Sequence, residues 1–268
     1  MKYKDEWFND DEFWTRYAPV MFDEKRWAEV PTVADGITRL AKLELYGAST
    51  KPKGKKSSTA KTDPFPRVAD LCCGFGRISL ELTRRGFITT GVDITLSYLN
   101  AAKEDAAHEN LDIEFLHTDV RSFKRKAAYD LAINIYNSFG YFEDPADDLV
   151  FVKNAYGALK PGAAFIIDVL GKEIAVRDFN EAEWFERAGI TVLAESSPMD
   201  SWASVWNRWI LIKDEQRWEK EFIQRLYAGS ELRALLLKAG FSTVEIYGGW
   251  DERPYDHHAE SLIAVGRK

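Results

Sequence analysis

The sequence predicts an α/β fold built on a mostly parallel sheet, with a helical leader before it and an antiparallel insertion within it. Three observations support this prediction. Apolar runs alternate with helix-like segments from residue 67 to residue 169, as strand–helix–strand units require. Three consecutive apolar runs each end in an acidic residue. After residue 171 the alternation stops, and aromatic and β-branched residues typical of antiparallel strands replace it.

The leader is distinguished by its aromatic residues, which crowd its first half. Apolar residues then recur at intervals of three and four from Val33 to Leu45, which predicts an amphipathic helix closed by Gly47. The predicted segments are the helical leader covering the ligand site (1–47), a flexible Lys/Ser/Pro loop (48–66), the core (67–171), the β insertion (172–227) and the end of the core sheet (228–268).

The core elements follow from periodicity. A strand passes through a Gly-x-Gly turn into a helix, and the run from Tyr129 to Ile135 is apolar enough for a strand buried on both faces. The predicted strands are 67–71, 87–92, 113–118, 129–135 and 163–169, and the predicted helices are 77–85, 96–109 and 146–159. Such alternation implies right-handed crossovers and parallel pairing.

The insertion and the C-terminal segment complete the elements. We expect antiparallel strands over 190–195, 202–212 and 217–226, with a hairpin turn at 213–215. Ser230 is the predicted N-cap of a helix that Gly240 closes. The predicted last two strands are 241–247 and 261–266.

Composition and charge argue against a nucleic-acid-binding, a membrane-spanning or a secreted protein. The net charge is −7, and the basic stretch Lys51–Lys61 lacks aromatic residues for base stacking, so we expect a solvated linker there and no nucleic-acid partner. No apolar run approaches the roughly 20 residues of a membrane span, and Met1–Glu6 does not resemble a signal peptide. The two cysteines are adjacent, as Cys72 and Cys73, which suits a reducing compartment. We therefore expect a cytoplasmic protein.

The acidic residues at the strand ends predict a ligand site. The carboxyl ends of parallel strands line one shared crevice, so Asp70, Asp93 and Asp119 should lie close together. These acids suit a nucleoside-bearing cofactor: Asp70 meets an amino group, Asp93 a ribose diol and Asp119 the exocyclic amine of the base. The backbone N–H of Val120 would face a ring nitrogen of that base.

The turn from Asp70 to Gly76 reads acid-x-x-x-Gly-x-Gly, with Gly74 freeing the backbone to approach a ligand. This segment resembles class I S-adenosylmethionine-dependent methyltransferases of the small-molecule type, with a type 11/25-like methyltransferase domain. The resemblance covers Arg67–Leu170 well and implies a Rossmann-like, seven-stranded sheet whose last strand is antiparallel. It also implies S-adenosylmethionine as cofactor.

The resemblance assigns a cofactor-binding set. Arg16 enters it by analogy with amine methyltransferases, as a partner for the cofactor carboxylate, and Arg77 is a second candidate that could equally face solvent. We expect the cysteines to act mainly as packing residues in the turn. The predicted cofactor-binding residues are Asp70, Cys72, Cys73, Gly74, Gly76, Asp93, Ile94, Asp119, Val120, Ile135 and Arg16.

The acceptor side is predicted from two segments. Strand four ends in Asn134–Asn137 without the Pro-Pro pair of base and amide methyltransferases, which argues against those acceptors. Tyr136 is a candidate to orient the acceptor or contact the sulfonium, or else it packs in the core. In the loop 248–258, Tyr255, Asp256 or His257 could hold or deprotonate a nucleophile, or the loop is a surface hairpin. No third ligand accompanies the paired histidines, so we expect no metal.

These inferences predict a methyltransferase acting on a nitrogen or oxygen atom of a small molecule. The inserted tryptophans are interpreted either as a cover over the acceptor or as a homodimer surface: Trp202, Trp206, Trp209 and Trp218. Alternatives are an RNA methyltransferase using the lysine loop and a non-catalytic S-adenosylmethionine-binding module. A nicotinamide-dependent oxidoreductase is disfavoured because Ser79 stands where its third turn glycine is expected.

Overall fold

The computed structural model describes residues 6–43 and 65–268, and it contains a seven-stranded sheet and a separate four-stranded sheet. In the large sheet the order is β10-β11-β5-β4-β1-β2-β3, and β11 runs antiparallel to both neighbours. Its strands are β1 Arg67–Leu71, β2 Ile88–Asp93, β3 Glu114–His117, β4 Tyr129–Asn134, β5 Leu159–Val169, β10 Thr243–Tyr247 and β11 Leu262–Arg267. The predicted Rossmann-like sheet with an antiparallel last strand is confirmed.

Helices cover both faces of the large sheet. The helices are α1 Asp11–Met21, α2 Glu24–Ala28, α3 Val30–Ala41, α4 Arg77–Arg84, α5 Leu96–His108, α6 Pro145–Ala158, α7 Lys172–Arg177 and α8 Gly229–Ala239. Helices α3 and α4 pack on one face, against residues such as Val68 and Ile133. Helices α6 and α8 pack on the other, against Ala69 and Phe165. The leader helix α3 is thus part of the core and not only a cover.

The insertion forms an antiparallel sheet in the order β6-β7-β8-β9. Its strands are β6 Ala182–Arg187, β7 Ile190–Met199, β8 Ser204–Lys213 and β9 Gln216–Arg225. The predicted hairpin turn is present, with Asp214 at φ 48° and Glu215 at φ 67°. Strand β6 was not predicted, because it lies at the sheet edge and most of its side chains are exposed, which leaves no apolar alternation to detect.

Two predicted helix ends differ from the structure. Helix α8 begins at Gly229 rather than after Ser230, because the Glu231 carboxylate accepts the N–H of the true N-cap residue, Ala228, at 2.9 Å. Helix α3 ends at Ala41, with Lys42 in the left-handed C-cap conformation at φ 57°. The predicted cap Gly47 and the stretch Lys51–Lys61 lie outside the described residues.

The leader joins the two sheets. Phe13, Tyr17 and Val20 of α1 are buried against the inner face of the insertion sheet, where they meet Val192 and Leu211. The Tyr17 hydroxyl donates a hydrogen bond to the Trp209 carbonyl at 2.7 Å. Full burial of an aliphatic or aromatic side chain is worth about 1.5–3 kcal/mol, so this contact fixes the insertion over the carboxyl ends of the core strands. In the described part of the chain, no helix is long and apolar enough to span a membrane.

Candidate active site

A cavity of about 520 Å³ lies where the carboxyl ends of the parallel strands face the leader and the insertion. The core contributes acids and the glycine turn, the leader contributes mostly aromatic rings, and the insertion closes the far side. Lining residues from the leader include Trp7, Phe8, Phe13, Trp14, Phe22 and Arg26, and those from the insertion are Phe185, Arg187, Trp209, Phe222 and Gln224. Most of the exposed wall is therefore apolar, and most of its charged groups come from the core, with Arg26 added by the leader and Arg187 by the insertion.

The turn after β1 brings backbone to the cavity wall. Gly74 lines the cavity at φ 55°, and Gly76 begins α4 at φ 69°. Cys72 also has a positive φ, 64°, and both cysteines line the cavity as free thiols. Burial and the nearby acids raise the pKa of both thiols well above the usual range, so both stay protonated at neutral pH. The cysteines thus act as packing and lining groups.

Two predicted acids stand side by side in this turn. Asp93 accepts the Gly74 N–H at 2.7 Å and the Thr95 N–H at 2.8 Å, and Asp70 accepts the Ser79 hydroxyl at 2.7 Å. Burial raises the pKa of Asp93. Burial, with a contribution from the charge of Asp93, raises the pKa of Asp70 to about 6. A cationic ligand group between them would relieve this cost.

Asp119, the third predicted acid, is engaged by a local arginine. Its carboxylate accepts the Arg121 N–H at 2.7 Å and the Arg121 guanidinium at 2.6 Å. Arg121 is fully buried at its side chain and also binds Glu6 and Asp147. Asp119 lines the cavity, but Arg121 occupies much of the acceptor capacity that the sequence assigned to a base amine. The same arginine, through Glu6, ties the leader to the wall of the cavity at Asp119.

Arg77 does not face solvent. Its residue is 5% exposed, it lines the cavity, and its guanidinium donates a hydrogen bond to the Arg26 carbonyl. The guanidinium lies 4.6 Å from the ring centre of Tyr136 and 5.0 Å from that of Phe22. Among the described residues, no carboxylate forms an ion pair with it. A buried guanidinium without a counterion is a site for a ligand anion.

Tyr136 follows β4 in a strained conformation. Tyr136 and Asn137 both lie in the left-handed region, at φ 58° and 65°, which costs L-residues about 1–2 kcal/mol each. The Tyr136 N–H donates to the Asp168 carboxylate at 3.2 Å, and the Asn137 side chain accepts the Leu170 N–H at 3.0 Å. The Tyr136 hydroxyl is buried and has no hydrogen-bond partner in the described part of the chain. The loop therefore directs an unused polar group to the cavity region.

Sequence reasoning missed four charged residues that line the cavity, namely Arg26, Asp168, Arg187 and Glu260. Asp168 is the penultimate residue of β5, as Asp70 is of β1, and it is 7% exposed, so it shows the signal that identified Asp70, an acid at the end of an apolar strand. Arg26 comes from α2 of the leader, and no local pattern marks it. Of the predicted residues, Ile94, Val120 and Ile135 do line the cavity, whereas Gly76, the N-cap of α4, does not.

Three further predicted site residues lie outside the cavity. Arg16 pairs with Glu12 at 2.6 Å on the outer side of α1. Tyr255 donates its hydroxyl to Glu173 at 2.7 Å and packs against Gly171. The exposed His257 accepts the Arg177 guanidinium at its backbone carbonyl at 2.6 Å, and its ring lies 3.9 Å from that of His258 between centres. The loop 248–258 is thus a surface hairpin, and no cluster of metal-ligating side chains occurs in residues 6–43 or 65–268.

The inserted tryptophans divide between the two faces of their sheet. Trp209 lines the cavity. Trp206 points to the opposite face, where it donates to Glu221 at 3.2 Å. Trp218 lies under the Arg16 guanidinium at 4.4 Å, and Trp202 packs edge-on against Phe179 at 4.9 Å. Only one of the four therefore reaches the cavity.

Known proteins are similar to this chain in sequence and in fold. Residues 68–162 match the family model described as a methyltransferase domain. The putative methyltransferase YqeM of Bacillus subtilis strain 168 is 23% identical over 214 residues, which cover 75% of this chain and 84% of the relative. The glycine/sarcosine N-methyltransferase of Aphanothece halophytica is 24% identical over 213 residues, covering 78% and 79%. The sugar N-methyltransferase KedS8 from Streptoalloteichus sp ATCC 53650 superposes with a TM-score of 0.67 at 16% identity, covering 99% and 95%.

Proposed function

We propose that this protein, whose residues 68–162 match a methyltransferase domain, is a class I S-adenosylmethionine-dependent enzyme that methylates a nitrogen or oxygen atom of a small molecule. The observation that carries the proposal is one continuous cavity that joins the acidic glycine turn to the ends of β4 and β5 beneath the insertion sheet. A donor and a small acceptor bound in one such cavity lie within reach of each other and away from bulk water.

The charges of the cavity fit the amino-acid end of S-adenosylmethionine. This end carries an ammonium and a carboxylate, and the turn offers two buried acids beside a buried guanidinium without a carboxylate partner among the described residues. Asp70 would bind the ammonium, and Arg77, with the first N–H groups of α4, would bind the carboxylate. Asp93 would accept the ribose hydroxyls with the lone pairs not used by Gly74 and Thr95.

Apolar residues beside β2 and β3 would hold the nucleoside. Ile94 and Val120 flank the wall next to Asp93, and Ile135 closes the side next to Tyr136. Because Arg121 holds the Asp119 carboxylate, Asp119 would meet a base amine only through its remaining lone pairs. The Val120 N–H, the Asp119 carboxylate and the packing of the isoleucine side chains would then share the recognition of adenine.

The bound cofactor supplies an electrophilic methyl group on a sulfonium. The positive charge disperses as the methyl moves to the acceptor, so the main task of the protein is to align the partners and to exclude water. The ring of Tyr136 and the rings of the leader would surround this charge with their electron-rich faces. The leader rings, held by Arg121 and by the insertion, would also exclude water from the reacting atoms.

A labelling experiment tests the proposed function. The purified protein would be incubated with methyl-labelled S-adenosylmethionine and either a small-metabolite extract or total RNA. We expect label in compounds that pass a small-pore filter, with one S-adenosylhomocysteine released for each methyl transferred. Label confined to RNA, or no transfer to either pool, would contradict the proposal. Asp130→Asn, at the opposite end of the same sheet, is the control that should leave transfer unchanged.

Tyr136 gives a second test, because its hydroxyl contributes no hydrogen bond to the fold described here. Tyr136→Phe should leave the free energy of unfolding without ligand within about 1 kcal/mol of the wild type, since no buried partner is lost. If the hydroxyl orients the acceptor, kcat/KM should fall about tenfold, equivalent to one lost hydrogen bond of about 1.4 kcal/mol. Unchanged kcat/KM would assign Tyr136 to packing alone.

A further inference from the structure

The ends of β4 and β5 form a polar floor around one carboxylate, Asp168. Its Oδ1 accepts the Ser261 hydroxyl, and its Oδ2 accepts the Tyr136 N–H at 3.2 Å. A carboxylate can accept about four hydrogen bonds, so these two contacts leave capacity on a side chain that lines the cavity. These two hydrogen bonds orient the Asp168 carboxylate and leave some of its lone pairs free to accept a hydrogen bond from a ligand.

The wall opposite this floor is aromatic. The Asn137 amide donates to Gln224 at 3.3 Å, which places the floor against β9 of the insertion. Phe222, on the same face of β9 as Gln224, stacks on Trp7 at 4.7 Å and meets Trp209 at 5.9 Å between ring centres. Aromatic faces attract cations, and together with a carboxylate they form an environment suited to an ammonium group on an apolar body.

We propose that the acceptor is a small amine and that Asp168 binds its nitrogen and accepts its proton; this inference rests on the proposed function. Among the acids that line the cavity, Asp70, Asp93 and Asp119 belong to the cofactor side. Glu260 is exposed and paired with Arg253 at 2.9 Å, which draws it away from the floor. Asp168 is therefore the buried carboxylate that serves the acceptor.

The proton balance follows from the chemistry of amines. An ammonium ion has no lone pair and cannot attack a methyl group. One proton passes from the ammonium to Asp168, which leaves a neutral amine and a neutral carboxyl group. The nitrogen lone pair then forms the new N–C bond while the S–C bond breaks, and the sulfonium becomes a neutral thioether. The methylated ammonium leaves, and Asp168 returns its proton to water.

Several charged groups face Asp168 from neighbouring elements. Burial raises the pKa of Asp168, and Glu29 at the end of α2 adds to this effect. Arg26 of α2 and the hydrogen bonds from Ser261 and Tyr136 act in the opposite direction. A carboxyl with a raised pKa is a better proton acceptor for an amine than one with the ordinary value. Methylation should therefore decline as the pH falls through the pKa of Asp168, because the carboxyl is then already protonated.

A binding experiment on the complex with S-adenosylhomocysteine tests this inference. Phenethylamine and tryptamine would be compared by calorimetry with the alcohols of the same carbon skeletons. We expect the wild type to bind the amines at least tenfold more tightly than the alcohols. Asp168→Asn, which keeps the shape of the side chain, should bring the two classes within threefold. Glu260→Gln, a carboxylate change in the same cavity, should retain the preference.

The possible results distinguish a failure of the amine-acceptor inference from a failure of the proposed function. If S-adenosylhomocysteine binds but the wild type binds amines no better than alcohols, or Asp168→Asn keeps the preference, the inference is wrong. If S-adenosylhomocysteine does not bind the wild type, the proposed function fails and the inference fails with it. Methylation of the same amines supplies the second readout. We expect the acid limb of the pH–rate profile to disappear in Asp168→Asn and the rate at pH 7 to fall by about 100-fold.

Discussion

Asp70 is a carboxyl group held where its charge is disfavoured. It is fully enclosed, its neighbour Asp93 is also an acid, and burial raises its pKa to about 6. In the unfolded chain the pKa of an aspartate is about 3.9. The folded protein therefore binds more protons than the unfolded protein between these two pH values, and the ionised group destabilises the ligand-free fold above pH 6. A site that costs stability when empty is typical of one built for a ligand.

Asp70→Asn should therefore stabilise the ligand-free protein at alkaline pH. The shift of about two pKa units corresponds to about 3 kcal/mol, expected in full at pH 8 and lost towards pH 4, where Asp70 is protonated. Urea unfolding at both pH values measures the difference. The control Asp130→Asn removes a half-exposed pair with Lys160 and should change stability by about 1 kcal/mol or less. A wild type more stable than Asp70→Asn at pH 8 would contradict this account.

Single residues also show which features of the site could be predicted from local sequence patterns and which could not. Asp70 and Asp93 were predicted because an acid closing an apolar strand is a local pattern. The same pattern marks Asp168 but was not followed to β5. The engagement of Asp119 by Arg121 depends on Glu6, which is 115 residues away and completes the pairing of that buried arginine. Arg26 enters the cavity only because α1 and α2 fold back over the turn. The spacing of residues around Arg26 in the sequence does not indicate this path of the chain.

At the level of elements, the insertion sheet presents two different faces. Alternation along β8 directs Trp209 and Leu211 to the leader and the cavity, whereas Trp206 and Arg208 lie on the opposite face. The strand periodicity was readable from the sequence, but which face turns inward was not. That choice depends on α1, whose apolar side covers one face of the sheet. Predicting that a segment is helical does not show which face of which sheet that helix packs against.

The two faces predict different effects of matched substitutions. Trp209→Leu removes an aromatic ring from the acceptor side, so the acceptor KM should rise about tenfold, or about 1.4 kcal/mol, while affinity for S-adenosylhomocysteine stays within twofold. Trp206→Leu, on the outward face, should change neither quantity. Steady-state kinetics with the acceptor from the labelling experiment and calorimetry with S-adenosylhomocysteine measure both. Equal effects of the two substitutions would contradict the assignment of Trp209 to the acceptor wall.

At the level of the whole molecule, the alternation of strands and helices was enough to predict the parallel core sheet, whereas its antiparallel last strand was implied by the resemblance to class I methyltransferases. The leader was expected to cover the ligand site, but its helix periodicity did not predict that α3 packs on the core sheet and α1 on the insertion sheet. The hairpin that carries Tyr255 and His257 was predicted as a candidate part of the acceptor site, but it lies outside the cavity. It follows a sheet strand, but the hydrogen bonds of Tyr255 to Glu173 and of Arg177 to His257 direct it onto the surface beside α7.

The central claim is that the turn from Asp70 to Gly76, with Asp93, holds S-adenosylmethionine. Calorimetric titration with S-adenosylmethionine, S-adenosylhomocysteine and NADH, on the wild type and on Asp93→Ala, tests it most directly. We expect one equivalent of each of the first two to bind the wild type with a Kd of about 10 μM or tighter, at least tenfold weaker binding in Asp93→Ala, and no binding of NADH. Absence of binding, a preference for NADH, or unchanged affinity in Asp93→Ala would contradict the claim.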